Sequence, residues 1–146
     1  MSDTLKICGL TIDRGQKLRT YLPVPDTHVK IPITIINGTE DGKTLLITAG
    51  IHGGEYPGIA AAMELGRDIE PEHVRGCLIM MHPVNIQGFW ARREMIVPED
   101  GKNLNRVFPG DPLGTLADKT AYLISSNFFP IADFYVDMHS GDIHES

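Results

Sequence analysis

The chain has 146 residues, of which 42% are hydrophobic and 22% charged, with a formal net charge of -6 at pH 7. This suits one ordinary soluble domain with a real core, and it argues against nucleic acid as the main partner, because no basic stripe is present to neutralise phosphates. No apolar stretch approaches membrane-spanning length and residues 1–6 lack the basic and apolar regions of a signal peptide, so no membrane is expected and the cytoplasm is the expected location.

Residues 5–36 read as β-rich. Residues 5–12 carry apolar side chains at 5, 7, 10 and 12, broken by Gly9, and residues 17–24 alternate loosely up to Pro23 and Pro25. Val29, Ile31, Ile33 and Ile35 alternate strictly, with His28 read as a solvated strand residue. The run Asn37-Gly38-Thr39-Glu40-Asp41-Gly42 reads as a turn, and residues 43–47 return as a central strand. Cys8 and Cys77 are the two cysteines; with no C-x-x-C, Cys77 at the head of an apolar run is expected to be a buried reduced thiol.

The central strand leads into Gly50-Ile51-His52-Gly53-Gly54-Glu55-Tyr56-Pro57, read as a tight turn and the start of a helix whose body is residues 59–68, with Pro57 early in it. His52 and Glu55 thus fall just past a strand's C-terminal end, where ligands bind in open α/β sheets. An imidazole and a carboxylate are both zinc ligands. With 6 His and 8 Glu in the chain, however, the H-x-x-E spacing arises by chance about 0.3 times. An equally economical reading has His52 capping the helix and Glu55 in its favourable first turn.

Beyond a polar break at residues 70–73, the apolar run 77–81 is the strand of a parallel β-α-β unit. His82, next to Pro83 and without a nearby carboxylate, reads as structural rather than as a further ligand. Residues 85–114 have no clear period and read as a long functional loop. Within it Asn105 and Arg106 suit a carboxylate clamp, or else Asn105 shapes a turn and Arg106 pairs with Asp100 or Asp111. Residues 118–129 read as a helix with Thr115 as its N-cap, and residues 131–142 as a third strand ending in His139. His52, Glu55 and His139 then form the two-imidazole, one-carboxylate set of a catalytic zinc. Asp137, two residues before His139 on the same strand face, is placed to orient that imidazole or the substrate. No G-x-S-x-G, P-loop or Rossmann fingerprint competes.

Three blocks, Ala49-Gly50-Ile51-His52-Gly53-Gly54-Glu55, Asp100-Gly101-Lys102-Asn103-Leu104-Asn105-Arg106-Val107-Phe108-Pro109-Gly110 and Asp137-Met138-His139-Ser140-Gly141, resemble in order the signatures of the succinylglutamate desuccinylase/aspartoacylase family of the zinc carboxypeptidase-like superfamily. The resemblance covers about residues 40–146. It implies a three-layer α/β/α sandwich with a mixed, mostly parallel sheet, incomplete at the C-terminus. On this reading residues 1–146 are the N-terminal part of a hydrolase catalytic domain, with 1–36 a β-rich lead-in and 40–146 the metal-site region.

The same resemblance implies one zinc ion per chain held by His52, Glu55 and His139. It makes Asn105 and Arg106 the pair that holds a substrate carboxylate, in place of the turn-and-ion-pair reading. The implied activity is hydrolysis of an amide or ester bond in a small N-acyl substrate carrying a carboxylate. The family's carbonyl-polarising arginine falls out of register, since Met95 occupies its usual place three residues before the proline; Arg93, or Arg92, is the substitute. Its general-base glutamate lies well downstream of the third ligand, and the chain stops seven residues after His139, with Glu145 too close to match. A truncated, weakly active enzyme is therefore expected, with an exposed sheet edge open to self-association. The alternatives are a zinc carboxypeptidase acting on peptides and a non-catalytic zinc-binding fragment.

Overall fold

The computed structural model describes residues 3–141. The β-rich start becomes a hairpin and two sheet strands. β1 (Thr4–Ile7) and β2 (Leu10–Asp13) pair antiparallel in a separate two-stranded sheet. Cys8 and Gly9 join them with φ of 48° and 77°, the sense of turn that matches the right-handed twist of paired strands. β3 (Gln16–Pro23) and β4 (Lys30–Asn37) follow, then β5 (Glu40–Ala49), the expected central strand, which begins three residues early and carries an irregularity between Glu40 and Thr44. Helix α1 (Tyr56–Asp68), strand β6 (Arg75–Met81), helix α2 (Ile86–Ala91), helix α3 (Leu116–Asn127) and strand β7 (Phe134–Met138) complete the order.

The main sheet runs β3-β4-β6-β5-β7. It is mixed: β3-β4 and β4-β6 are antiparallel, and β6-β5 and β5-β7 are parallel, so parallel pairing is confined to the half that carries the site. Strand alternation sorts the buried residues into two clusters. Ile31, Ile33 and Ile35 of β4, Ile79 and Met81 of β6 and Leu46 of β5 meet Leu116, Ala121 and Ile124 of α3 on one face. On the other face lie Ile36, Ile47, Leu78 and Met80, with α1 above them: a Cβ on Gly66 would stand 3.5 Å from the Met80 methyl and 3.1 Å from the Thr34 hydroxyl. This is the expected helix, sheet, helix layering. The hairpin contributes Ile7 and Ile12 to the first cluster.

Three further details differ from the sequence reading. The supposed loop 85–114 contains α2, whose six residues are too few to reveal a helical period. Its start is fixed by Asn85, whose side chain accepts the Gly88 N–H at 2.9 Å. Helix α3 begins two residues earlier than expected, at Leu116, because Thr115 and Asp118 form a capping box that supplies the first turn. Of the third strand, Phe134–Met138 pairs; Asp142 and Glu145 lie outside the described residues. Among the described residues no helix is long and apolar enough to cross a membrane.

Cys77 is buried on β6, as expected, and burial pushes its thiol up to about 12. Ile79, fully buried between Ile35 and Leu46 on the neighbouring strands, is the keystone of the larger cluster. Ile79→Ala is expected to lower unfolding stability by about 2–5 kcal/mol in urea titrations, whereas Tyr21→Ala, on the exposed face of the edge strand β3, is expected to change it by about 0.5 kcal/mol or less.

Candidate metal centre

Strand β5 ends at Ala49, and the backbone turns at Gly50, whose φ of 71° is the left-handed conformation that glycine adopts without strain. The turn is then clamped by its neighbours. A Cβ on Gly53 would lie 2.3 Å from the backbone nitrogen of Phe89 in α2, so only hydrogen fits there. This close approach aims His52 and Glu55 together: His52 Nδ1 lies 2.8 Å from Glu55 Oε1, and both residues are buried.

The third member arrives on β7. Asp133 anchors that strand by accepting the Thr44 N–H at 2.8 Å and giving its own N–H to the Thr44 carbonyl at 2.9 Å, which sets the register Thr48 beside Asp137 and Ala49 beside Met138. A one-residue slip would carry His139 to the other face of the sheet. In this register His139 Nδ1 lies 2.9 Å from Glu55 Oε2, and the imidazoles of His52 and His139 meet edge to face at 5.1 Å. Ser140 ties the following segment to α1: its N–H donates to Glu55 Oε2 at 3.2 Å and its hydroxyl accepts the Gly58 N–H at 3.2 Å. One ligating atom from each of His52, Glu55 and His139 falls within 4.8 Å of the others.

Hydrogen-bond logic assigns the tautomers. Asn103 accepts the Asn105 N–H at 2.9 Å through its side-chain oxygen, and the same oxygen stands 3.1 Å from His52 Nε2. The accepted N–H identifies this atom as the amide oxygen, which carries no hydrogen to donate, so His52 Nε2 carries the hydrogen and Nδ1 is left to face Glu55. Asp137 Oδ2 does the same for His139 Nε2 at 2.8 Å. Both Nδ1 atoms therefore point to one carboxylate from positions held at the far side of each ring. Two imidazoles, one carboxylate and their outer partners are the donor chemistry of a zinc site, and a cation there would compete with protons for the Nδ1 lone pairs. Burial pulls the His139 imidazole down, but the hydrogen bonds to Asp137 and Glu55 and the charges of both carboxylates outweigh it and hold it above the ordinary range.

Asn105 and Arg106 sit in the short 3-10 turn Leu104–Arg106, which Asn103 caps against His52, so the second sequence block does reach the candidate donor set. Neither Asp100 nor Asp111 bonds Arg106: Asp100 accepts the Lys102 and Ala117 N–H groups and Asp111 accepts the Leu113 N–H, while the exposed Arg106 guanidinium turns back to the Asn105 carbonyl at 3.2 Å. Arg93 is exposed just past α2. The following residue, Glu94, passes over the Gly53-Gly54 turn, its Cα 3.0 Å from where a Cβ on Gly54 would stand. Arg92 and Arg93 share the lining of a surface hollow of about 360 Å³ with Glu94, Met95 and Ile96.

His82 stays out of the cluster: it is buried against Thr34, 3.1 Å from its hydroxyl, and burial lowers its pKa. His28 is exposed beside Gln87 and Glu99. Sequence reasoning missed Asn103, whose visible signal was an asparagine in the capping position before Leu104-Asn105-Arg106. It also missed Thr48, which bonds Asp137 from β5.

A His-Glu-His donor set, with His52 and Glu55 buried and His139 exposed, lies at the C-terminal ends of parallel strands of an α/β fold, and comparison with known proteins says which family carries it. The chain belongs to the succinylglutamate desuccinylase/aspartoacylase family, whose catalytic-domain model matches residues 41–145. The family is one of amide-bond deacylases. Over 113 residues the chain is 41% identical to the N-alpha-acetyl-L-2,4-diaminobutyric acid deacetylase of Halomonas elongata, a match covering 77% of this chain and 32% of that protein. Among solved structures it resembles the succinylglutamate desuccinylase/aspartoacylase of Rhodobacter sphaeroides (36% identity, TM-score 0.84). It also resembles the product-bound ectoine utilization protein EutE (DoeB) of Ruegeria pomeroyi (34% identity, TM-score 0.83). Each of these matches covers 97% of this chain and 44% of the other. The chain thus spans less than half the length of these relatives.

Because Asp137 supplies the largest upward influence on His139, Asp137→Asn is expected to lower the His139 titration midpoint toward that of an ordinary imidazole. Histidine NMR titration in the presence of a chelator would read the change.

Proposed function

We propose that this chain carries the metal site of a zinc-dependent deacylase that hydrolyses the amide bond of a small N-acyl substrate bearing a carboxylate. The observation that carries the reading is the convergence of His52, Glu55 and His139, with both Nδ1 atoms held toward Glu55 by partners on the opposite ring nitrogen. These three residues would hold one zinc ion. When bound, the ion supplies Lewis acidity, polarising a carbonyl and lowering the pKa of a water to about 7.

The chain's own residues do the rest. Arg106 offers a two-pronged guanidinium and Asn105 an amide for the substrate carboxylate, on a turn braced against His52 through Asn103. Fixing that end of the substrate orders the scissile carbonyl with respect to the site. Arg93, next to the segment that overlies the Gly53-Gly54 turn, is the proposed donor to charge developing on the carbonyl oxygen. Asp137 and Asn103 hold the two imidazoles in one tautomer. The similarity to a deacetylase of an N-acetylated diamino acid makes that substrate class the first to test. The cytoplasm is the proposed location. The edge strand β7, with Phe134 and Val136 exposed, is the proposed surface for self-association.

Zinc titration of the 146-residue chain is expected to give one tight site, and His52→Ala and His139→Ala are each expected to abolish it. Retention of zinc by both variants would sink the ligand assignment. The zinc-loaded chain is expected to turn over N-acetyl diamino acids slowly, measured by release of free amine. In whatever form turns over, Arg106→Ala is expected to raise KM about tenfold or more by removing the carboxylate clamp, measured by release of free amine.

A further inference from the structure

The hydroxyl of Thr48 is fully buried in the last turn of sheet before the site, and it does not bond to backbone. It lies 2.7 Å from Asp137 Oδ1 and 2.8 Å from the Tyr135 hydroxyl. Thr48 and Asp137 are register partners on parallel strands, and Tyr135 is two residues before Asp137, so all three side chains emerge on one face of the sheet. We propose that Thr48 and Tyr135 are positioning residues of the metal site, a directed pair of hydroxyls that locks the Asp137 carboxylate and, through it, the ring of His139. The inference rests on the zinc reading above and deepens it.

The direction of the chain follows from proton count. An ionised Asp137 only accepts, so the single hydroxyl hydrogen of Thr48 goes to Asp137, and Tyr135 must donate to Thr48. His139 Nε2–H fills the other oxygen, Oδ2. With Oδ1 held by β5 and Oδ2 holding the imidazole, the carboxylate cannot rotate without breaking one charge-assisted bond. This matters because Asp137 is partly open to solvent; without the Thr48 bond, water is free to re-aim it. The Tyr135 ring is itself held against Phe129 at 4.9 Å, and Phe129 stacks on Phe108 at 6.1 Å, just beyond Arg106. Ligand rings without their outer partner typically lose about 10–100-fold in metal affinity.

The test is zinc affinity of the 146-residue chain by chelator competition, together with the visible absorption of its cobalt(II) form, for the unsubstituted chain, Thr48→Val, Thr48→Ser, Tyr135→Phe and His139→Ala. Thr48→Val keeps the β-branched shape and removes the hydroxyl; it is expected to weaken zinc about 10–100-fold and to shift the cobalt bands. Thr48→Ser restores the hydroxyl and is expected to recover most of the affinity, and Tyr135→Phe is expected to fall between. Unchanged affinity and cobalt spectrum in Thr48→Val, alongside loss in His139→Ala, would overturn the positioning role and leave the zinc site standing. Equal losses in Thr48→Val and Thr48→Ser would mean that packing, not the hydroxyl, matters. If the unsubstituted chain takes up no zinc, the metal reading itself falls and this inference with it. Should Thr48→Val fail to fold, Tyr135→Phe against Thr48→Ser decides: a loss in the first and recovery in the second support the chain of hydroxyls, and no loss in the first overturns it.

Discussion

The parallel pairing of β5 with β7 is the constraint on which the site depends. β5 delivers His52 and Glu55 on its C-terminal turn, and β7 delivers Asp137 and His139. Nothing local joins the two sets; the Thr48 to Asp137 bond spans 89 positions of sequence. Their meeting is a matter of register, and register is held at the far end of the pair by Asp133, which takes both the Thr44 N–H and the Lys43 ammonium. The Lys43 hydrogen bond and the Thr44 N–H keep its carboxyl below the ordinary carboxylate range, so it is ionised when it does this work.

Around that pairing the fold supplies rigidity from three directions. The large apolar cluster fixes the sheet under α3, and α1 covers the opposite face. α2 presses its backbone onto Gly53, which is why the turn between His52 and Glu55 is so tight. The Lys102–Asp118 ion pair, and the bond from the Ala117 N–H to Asp100, tie the segment carrying Asn103, Asn105 and Arg106 to the start of α3. A loop built in this way presents polar groups at fixed positions while its tip stays open to solvent.

The two imidazoles are held by unlike partners. His52 leans on a neutral amide, Asn103, and His139 on a carboxylate, Asp137. A carboxylate makes its histidine the more basic donor, and it raises the proton's hold on the same ring. The site thus pairs an imidazole backed by a carboxylate with one backed by a neutral amide, and Glu55 sits between them with one oxygen toward each.

Much of this was legible in the amino-acid sequence because it is local. The strand, turn and helix that carry His52 and Glu55 follow from an apolar run, three glycines and Pro57 within fifteen residues. The start of α3 is written in Thr115 and Asp118, and the motif blocks named the family before any coordinate did. Helix α2 was not legible, since six residues make no period and its one signal is the Asn85 cap. Nor were Asn103 on His52 and Thr48 on Asp137, because each depends on which strand or loop lies beside which. By itself the sequence determined the longer elements, the candidate donor residues and the kind of chemistry they suit. Only the tertiary structure decided that β7 lies against β5 and in which register, because strand pairing is a choice among distant partners that burial and backbone hydrogen bonds settle together.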